Sequence, residues 1–215
     1  MKGTTSILKA LPFAVASFAL VSSVAAAEMK FEQVMTIGSS GTGEAQFKYV
    51  EDFAFTKDGK LLVTDAAHAF VQVFDKTMGK FITRFGGKGD DDANLDKPEG
   101  ISVAPNGDIY ITDGYGEHWV HQYRSDATYV RSFGGPGSEP GQINNPHGIE
   151  IDLRHDEPRL TVADRRNSRL QYFSLSGDHI GFLDHDLRAL GHLGDIARAF
   201  FDIDQIGGTP GSPTP

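Results

Sequence analysis

The sequence predicts an all-β fold built from repeated four-stranded antiparallel sheets. Its glycine-rich openings Ile37-Gly38, Phe85-Gly86 and Phe133-Gly134 recur at a period of 48 residues, and each leads into a new set of short apolar runs. A fixed period in the forties with four such runs is typical of a β-propeller blade rather than of a helical solenoid. From this register we expect an incomplete arc of about three full blades with partial flanking elements.

The N-terminus has the pattern of a secretory signal peptide. Lys2 and Lys9 precede an apolar run over 10–24, and Ala25-Ala26-Ala27 supplies an Ala-x-Ala cleavage site. A membrane anchor, the alternative, needs a longer apolar run of about 20 residues. We therefore expect removal of residues 1–27 and a propeller arc over 28–192 that is periplasmic or secreted, without membrane contact after cleavage.

The composition fits an exported domain and argues against nucleic-acid binding. Loss of Lys2 and Lys9 leaves 18 of the 20 basic residues against 29 acidic ones, a formal net charge of −11. Such a surface repels phosphate backbones. The sequence has no cysteine, so the fold cannot rely on disulfides and no bacterial lipid anchor is available.

Turn chemistry places the blades at about 46–86, 98–134 and 146–183. Asp58-Gly59 and Asn106-Gly107 lie between apolar runs and supply the positive φ angles of tight hairpins. The third repeat replaces the tight turn with a longer charged loop. Residues 31–37 are expected either as the outer strand of a preceding blade or as a strand packed on the edge of the arc.

An aspartate closes the second strand of every repeat, and we expect its carboxylate to bind backbone N–H groups of the turn that follows. These residues are Asp65, Asp113 and Asp164.

The C-terminal segment breaks the repeat pattern. Residues 193–206 have the spacing of one short amphipathic helix, or of a degraded blade. Residues 207–215 have a linker composition and are expected to be disordered. An arc with uncapped blade faces favours self-association.

The repeats resemble the NHL repeat. The resemblance rests on Pro-x-Gly-Ile-x-Val over 98–103, Asn-Gly-x-Ile-Tyr-Ile-x-Asp over 106–113, and Asp-x-x-Asn-x-Arg-Leu-Gln-x-Phe over 164–173. It covers roughly residues 30–185 and implies a β-propeller.

A narrower resemblance is to the peptidyl-hydroxyglycine α-amidating lyases (peptidylamidoglycolate lyases), which are six-bladed NHL propellers. It rests on Thr112-Asp113-Gly114-Tyr115, Pro146-His147-Gly148 and Val162-Ala163-Asp164-Arg165. By this resemblance Tyr115 corresponds to the catalytic base, His147 to one of three zinc-binding histidines, and Arg165 to a substrate-binding pocket arginine.

These residue types suit that chemistry. A neighbouring cation favours the phenolate form of a tyrosine, which then takes the hydroxyl proton of the substrate. An arginine fork matches a carboxylate. Each residue also has a structural alternative, with Tyr115 as a turn aromatic packed between blades and Arg165 as part of an inter-blade polar network.

Zinc would need about three protein ligands. The innermost strands begin with Glu51, Glu99 and His147, whereas the family has a histidine where Glu51 stands. Glu51 and His192 are possible companions of His147 on the axis.

Two function classes remain open. The first is an exported binding or scaffold module for a peptide or small molecule, with a vestigial lyase-like groove. The second is an active zinc-dependent lyase that releases glyoxylate from hydroxyglycine peptides and is completed by oligomerisation. A calcium-dependent sugar-lactone hydrolase is disfavoured, because the sequence has no clustered Asp, Asn and Glu set at matching blade positions.

Overall fold

The computed structural model describes residues 32–89 and 91–183, and all the strands described there lie in the compact unit that begins at Met35. The expected signal peptide over 1–27, His192, the helix or degraded blade over 193–206, and the tail over 207–215 lie outside the described residues. No helix among the described residues is long and apolar enough to cross a membrane.

Three four-stranded antiparallel sheets follow one another along the chain, and each is a simple meander. This confirms the predicted fold class, an incomplete all-β propeller. A short parallel pair, β1 (Ser39–Ser40) and β2 (Gln46–Phe47), precedes them. The first blade contains β3 (Val50–Phe55), β4 (Lys60–Asp65), β5 (Phe70–Asp75) and β6 (Phe81–Gly86). The second contains β7 (Pro98–Val103), β8 (Ile109–Asp113), β9 (Trp119–Tyr123) and β10 (Tyr129–Gly134). The third contains β11 (Pro146–Asp152), β12 (Arg159–Asp164), β13 (Arg169–Ser174) and β14 (His179–Phe182).

The Asx-Gly turns form the inner hairpins as predicted. Gly59 and Gly107 have φ angles of 89° and 93°, which β-carbon-bearing residues rarely adopt. Each turn is closed by a backbone hydrogen bond, from Thr56 N–H to Lys60 O in the first blade and from Ala104 N–H to Asp108 O in the second.

Apolar side chains between neighbouring blades form the core. We call the side of a blade that faces the preceding blade its leading face, and the opposite side its trailing face. Between the first and second blades, the trailing face contributes Leu62, Val71 and Val73, and the leading face contributes Ile101, Ile109, Ile111 and Tyr123. Between the second and third blades, the corresponding residues are Tyr110 and Val120 against Ile149, Ile151, Leu160, Val162 and Phe173.

The prediction of a strand over 31–37 is wrong for the part that the structure describes, since residues 32–38 form no strand. Gly38, with φ 80°, turns the chain so that β1 pairs with β2 and Phe47 packs on Phe74, with ring centroids 5.7 Å apart. The segment is therefore a folded loop that leads into a blade. Similar loops precede the other blades, closed by hydrogen bonds from Leu95 N–H to Gly87 O and from Ile143 N–H to Gly135 O.

A buried glutamine clamps this loop in the first and third blades. Gln72 donates to Gln46 O at 2.6 Å and accepts from Ala45 N–H at 3.1 Å. Gln171 donates to Gln142 O at 2.7 Å and accepts from Gly141 N–H at 3.1 Å. In the second blade the position is occupied by His121, which is buried and whose Nε2 has no hydrogen-bond partner within the described residues.

The strand-closing aspartates bind backbone N–H groups as expected, but mainly those of a different segment. Asp65 accepts from Lys48 and Tyr49 N–H, both at 3.0 Å. Asp113 accepts from the equivalent N–H groups of Asp96 and Lys97, and Asp164 accepts from that of Asn144. The cause is antiparallel pairing, which sets the end of the second strand beside the start of the first, as in the Val50–Asp65 pair. Each aspartate thus anchors the segment that leads into its own blade.

Candidate functional site

Every innermost strand begins with a β-bulge, and the bulge positions the candidate site residues. In the second blade Pro98 pairs with Asp113 and Ile101 with Ile111, so Glu99 and Gly100 together face Thr112 alone. The same register shift follows Val50 and Pro146 in the other blades. A bulge re-aims the side chain at its extra residue. The residues at this shared position are Glu51, Glu99 and His147.

Threonine hydroxyls fix the bulged backbone of one blade to the blade before it. Thr64 donates to Glu99 O at 2.8 Å, and Thr112 donates to His147 O at 2.7 Å. Gly100 allows this close approach, because a β-carbon there would lie 2.4 Å from His147 O. The row of bulge residues therefore has a rigid support.

The structure brings Tyr115, His147 and Arg165 together. Tyr115 lies in the turn after β8 and is 51% exposed, while Arg165 opens the short 3₁₀ turn after β12. The Arg165 guanidinium donates a hydrogen bond to the Tyr115 hydroxyl oxygen. The His147 ring meets the Tyr115 ring edge-on, with centroids 6.5 Å apart. Tyr115 of the second blade thus shares one rim with His147 and Arg165 of the third, as the repeat register predicts. The catalytic, substrate-binding and metal-binding roles of these residues remain predictions.

Glu99 is a member of this cluster that the sequence analysis did not assign to the site. Its side chain is fully buried and its Oε2 lies 3.7 Å from His147 Nε2. Neither carboxyl oxygen has a hydrogen-bond partner at good geometry within the described residues. Burial raises the pKa of Glu99 to about 8, and the Glu51 charge adds to this shift, whereas the Arg165 charge and the Tyr115 backbone N–H oppose it.

Gly114 packs directly against the carboxyl of Glu99. A β-carbon at Gly114 would lie 2.5 Å from Glu99 Oε2 and 2.1 Å from Pro146 O. The glycine of the Asp-Gly-Tyr motif therefore lets the turn that carries Tyr115 cross directly over the buried carboxyl. The only sequence signal for Glu99 was its position in the repeat register, which does not by itself indicate burial.

The described residues do not by themselves supply a zinc site. No group of three His, Cys, Asp or Glu side chains among them is placed to hold a metal ion. Glu99 lies between Glu51 and His147 in the row of bulge residues, and His192 lies outside the described residues. The assignment of His147 as a metal ligand, with Glu51 and His192 as companions, therefore stays a prediction from resemblance.

Comparison with known proteins identifies one repeat. Residues 95–123 match the NHL repeat, and this stretch includes both Glu99 and Tyr115. No curated protein matches the sequence. With its three antiparallel sheets, the chain has an NHL-repeat β-propeller fold. The narrower resemblance to amidating lyases stays a prediction.

Several solved structures are similar to parts of the chain. A catalytically inactive virginiamycin B lyase from Staphylococcus aureus is 21% identical, with a TM-score of 0.48 over 61% of this chain and 40% of that one. The hydrazine synthase of Kuenenia stuttgartiensis is 12% identical, with a TM-score of 0.49 over 71% and 39%. A protein assigned as a gluconolactonase is 15% identical, with a TM-score of 0.48 over 62% and 49%. The chain thus spans less than half the length of each.

Proposed function

We propose that this chain is an exported NHL-type propeller arc that binds the carboxylate of a peptide or small molecule at Tyr115, His147 and Arg165. The observation that carries the proposal is the hydrogen bond from Arg165 to the Tyr115 hydroxyl oxygen. Because that oxygen accepts from the guanidinium, the phenol proton is directed toward another acceptor. A ligand carboxylate on this rim would accept from the Tyr115 hydroxyl beside the positive charge of Arg165.

The buried carboxyl supports an anionic ligand rather than a cationic one. A pKa of about 8 keeps most Glu99 side chains neutral at pH 7. A neutral Glu99 side chain adds little negative charge to the site, although the chain as a whole is acidic. The Arg165 charge is therefore little opposed by Glu99 itself, although the Glu51 charge also acts on this group.

Isothermal titration with N-acetylglycine and its uncharged amide, N-acetylglycinamide, tests the proposal. We expect the acid to bind more tightly than the amide, and Arg165→Gln to weaken acid binding by about tenfold or more, since hydrogen bonds to charged groups contribute about 1.5–3 kcal/mol. Arg166→Gln, in the next residue of the same turn, is the matched control and should leave binding unchanged. Equal binding of acid and amide would contradict the proposal.

The second candidate function is a lyase, favoured by the contact between the Tyr115 hydroxyl and the Arg165 cation. Here Tyr115 would take the hydroxyl proton of a hydroxyglycine, the C–N bond would break, and the amide nitrogen would gain a proton. N-acetylhydroxyglycine would give acetamide and glyoxylate. Under the binding proposal, the chain supplied with zinc releases no measurable glyoxylate. Stoichiometric zinc, with turnover that Tyr115→Phe abolishes, would favour the enzyme instead.

A further inference from the structure

The first blade leaves Phe53 and Phe55 exposed on its leading face, although Val63, Gln72 and Phe74 on the same face are buried. Phe53 and Phe55 are 60% and 55% exposed, with their rings in edge-on contact at 5.9 Å. At the position of Phe53, the second and third blades have Ile101 and Ile149, which are only 3% and 2% exposed because a preceding blade covers them. The first blade therefore presents the same type of surface that this chain buries at both of its blade-to-blade contacts.

The third blade leaves part of its trailing face accessible. Tyr172 and Thr161 are partly exposed there, although Ala163 and Leu170 on the same face are buried. The residues equivalent to Tyr172 in the other blades are Val73 and Gln122, and those equivalent to Thr161 are Leu62 and Tyr110; all four are buried. The Arg159 guanidinium stacks on Tyr172 at 5.6 Å, which gives this face a cationic and aromatic surface suited to phenylalanine rings.

We propose that two copies of this chain close one ring, with the leading face of the first blade in each copy packed on the trailing face of the third blade in the other. A propeller closes with about four to eight blades. One copy has three described blades, so two copies supply six, a number within that range. The contact continues the blade-to-blade packing that the chain already repeats twice.

The second copy would complete the row of bulge residues. Within one chain, adjacent blades set Glu99 Oε2 3.7 Å from His147 Nε2. If the first blade of the partner subunit packs on the third blade in the same way, Glu51 of the partner subunit would lie beside His147. This proposal does not depend on the ligand of the site.

Two single substitutions test both halves of the contact. Phe53→Asp and Tyr172→Asp each put a carboxylate into the proposed interface. Each should raise the dissociation constant of the dimer by about a hundredfold, because a buried unpaired charge is strongly unfavourable. Met78→Asp is the matched control, since Met78 is 78% exposed in the turn between β5 and β6 and its replacement should leave the dimer intact. Masses are measured by size-exclusion chromatography with light scattering, and circular dichroism confirms the fold. If a variant fails to fold, Phe55→Ser replaces Phe53→Asp, and Thr161→Asp replaces Tyr172→Asp.

Mixing the two variants separates this arrangement from others. A ring formed from one Phe53→Asp copy and one Tyr172→Asp copy keeps one wild-type contact, so we expect the mixture to recover dimers that neither variant forms alone. Symmetric pairing of two leading faces predicts instead that Tyr172→Asp still dimerises and that mixing rescues nothing. That result would overturn the proposal, as would a wild-type chain that stays monomeric over about a hundredfold range of concentration.

Discussion

Replacing Glu99 with glutamine should make the chain more stable at alkaline pH, and the size of the effect follows from its burial. The carboxyl is fully buried, and its pKa rises from an ordinary value of 4.5 to about 8. Below pH 4.5 the group is protonated in both the folded and the unfolded chain and contributes no pH dependence. Between pH 4.5 and 8 the unfolded chain releases a proton that the folded chain keeps, so stability falls as pH rises.

The full interval corresponds to about 5 kcal/mol at about 1.4 kcal/mol per pH unit. Local relaxation around the charged carboxylate relieves part of this penalty, so we expect a difference of about 3 kcal/mol. Glutamine has nearly the same shape and no charge. Glu99→Gln and the wild type should therefore unfold at similar urea concentrations at pH 5, whereas at pH 8.5 the variant should be the more stable by that amount.

Urea unfolding followed by the fluorescence of Trp119, the single tryptophan, measures the difference at both pH values. Glu117→Gln is the control, because Glu117 is exposed and its replacement should change stability little at either pH. Since other titrating groups are common to all three proteins, their contributions cancel in the comparison. A Glu99→Gln variant whose stability parallels that of the wild type from pH 5 to 8.5 would refute the account of the buried carboxyl.

Two further pairs of substitutions test the repeat architecture. Gly100→Ala should destabilise the chain by roughly 2 kcal/mol, because its β-carbon would lie 2.4 Å from His147 O, whereas Gly181→Ala, with nothing within 4 Å, should be near neutral in the same urea assay. His121→Gln should stabilise the chain by about 1 kcal/mol by restoring the loop clamp, and Gln72→His should have the opposite effect. The buried His121 has a pKa lowered to about 4, so the comparison at pH 7 concerns its neutral form. Equal thermal midpoints for His121→Gln and the wild type would contradict the clamp argument.

The repeat period carried much of the predictive information in the sequence. The hairpins at Gly59 and Gly107 were predictable because Asx-Gly turns are specified locally. The meeting of Tyr115, His147 and Arg165 was predictable because equivalent positions in successive blades reach the same rim. Register alone sufficed for both results, without knowledge of the packing between blades.

Features that depend on packing between segments were not predictable in the same way. Glu99 is buried because Gly114 brings a turn over it, a contact between β7 and the turn that follows β8. Residues 32–38 were mistaken for a strand because Met35 and Ile37 pack beside Gly79, where an added β-carbon would lie 2.8 Å from Met35 Sδ and 2.9 Å from Ile37 Cγ1, rather than pair in a sheet. The aspartates bind the segment that precedes each blade because antiparallel pairing, rather than sequence proximity, sets their neighbours.

Under the proposed function, Tyr115 and Arg165 bind a ligand carboxylate as one hydrogen-bonded unit. A double-mutant cycle with Tyr115→Phe, Arg165→Gln and the double variant, measured by titration with N-acetylglycine, tests it directly. We expect a coupling free energy of about 1 kcal/mol or more, because losing either side chain removes the hydrogen bond between Tyr115 and Arg165. Additive losses, or single variants that bind as tightly as the wild type, would contradict it.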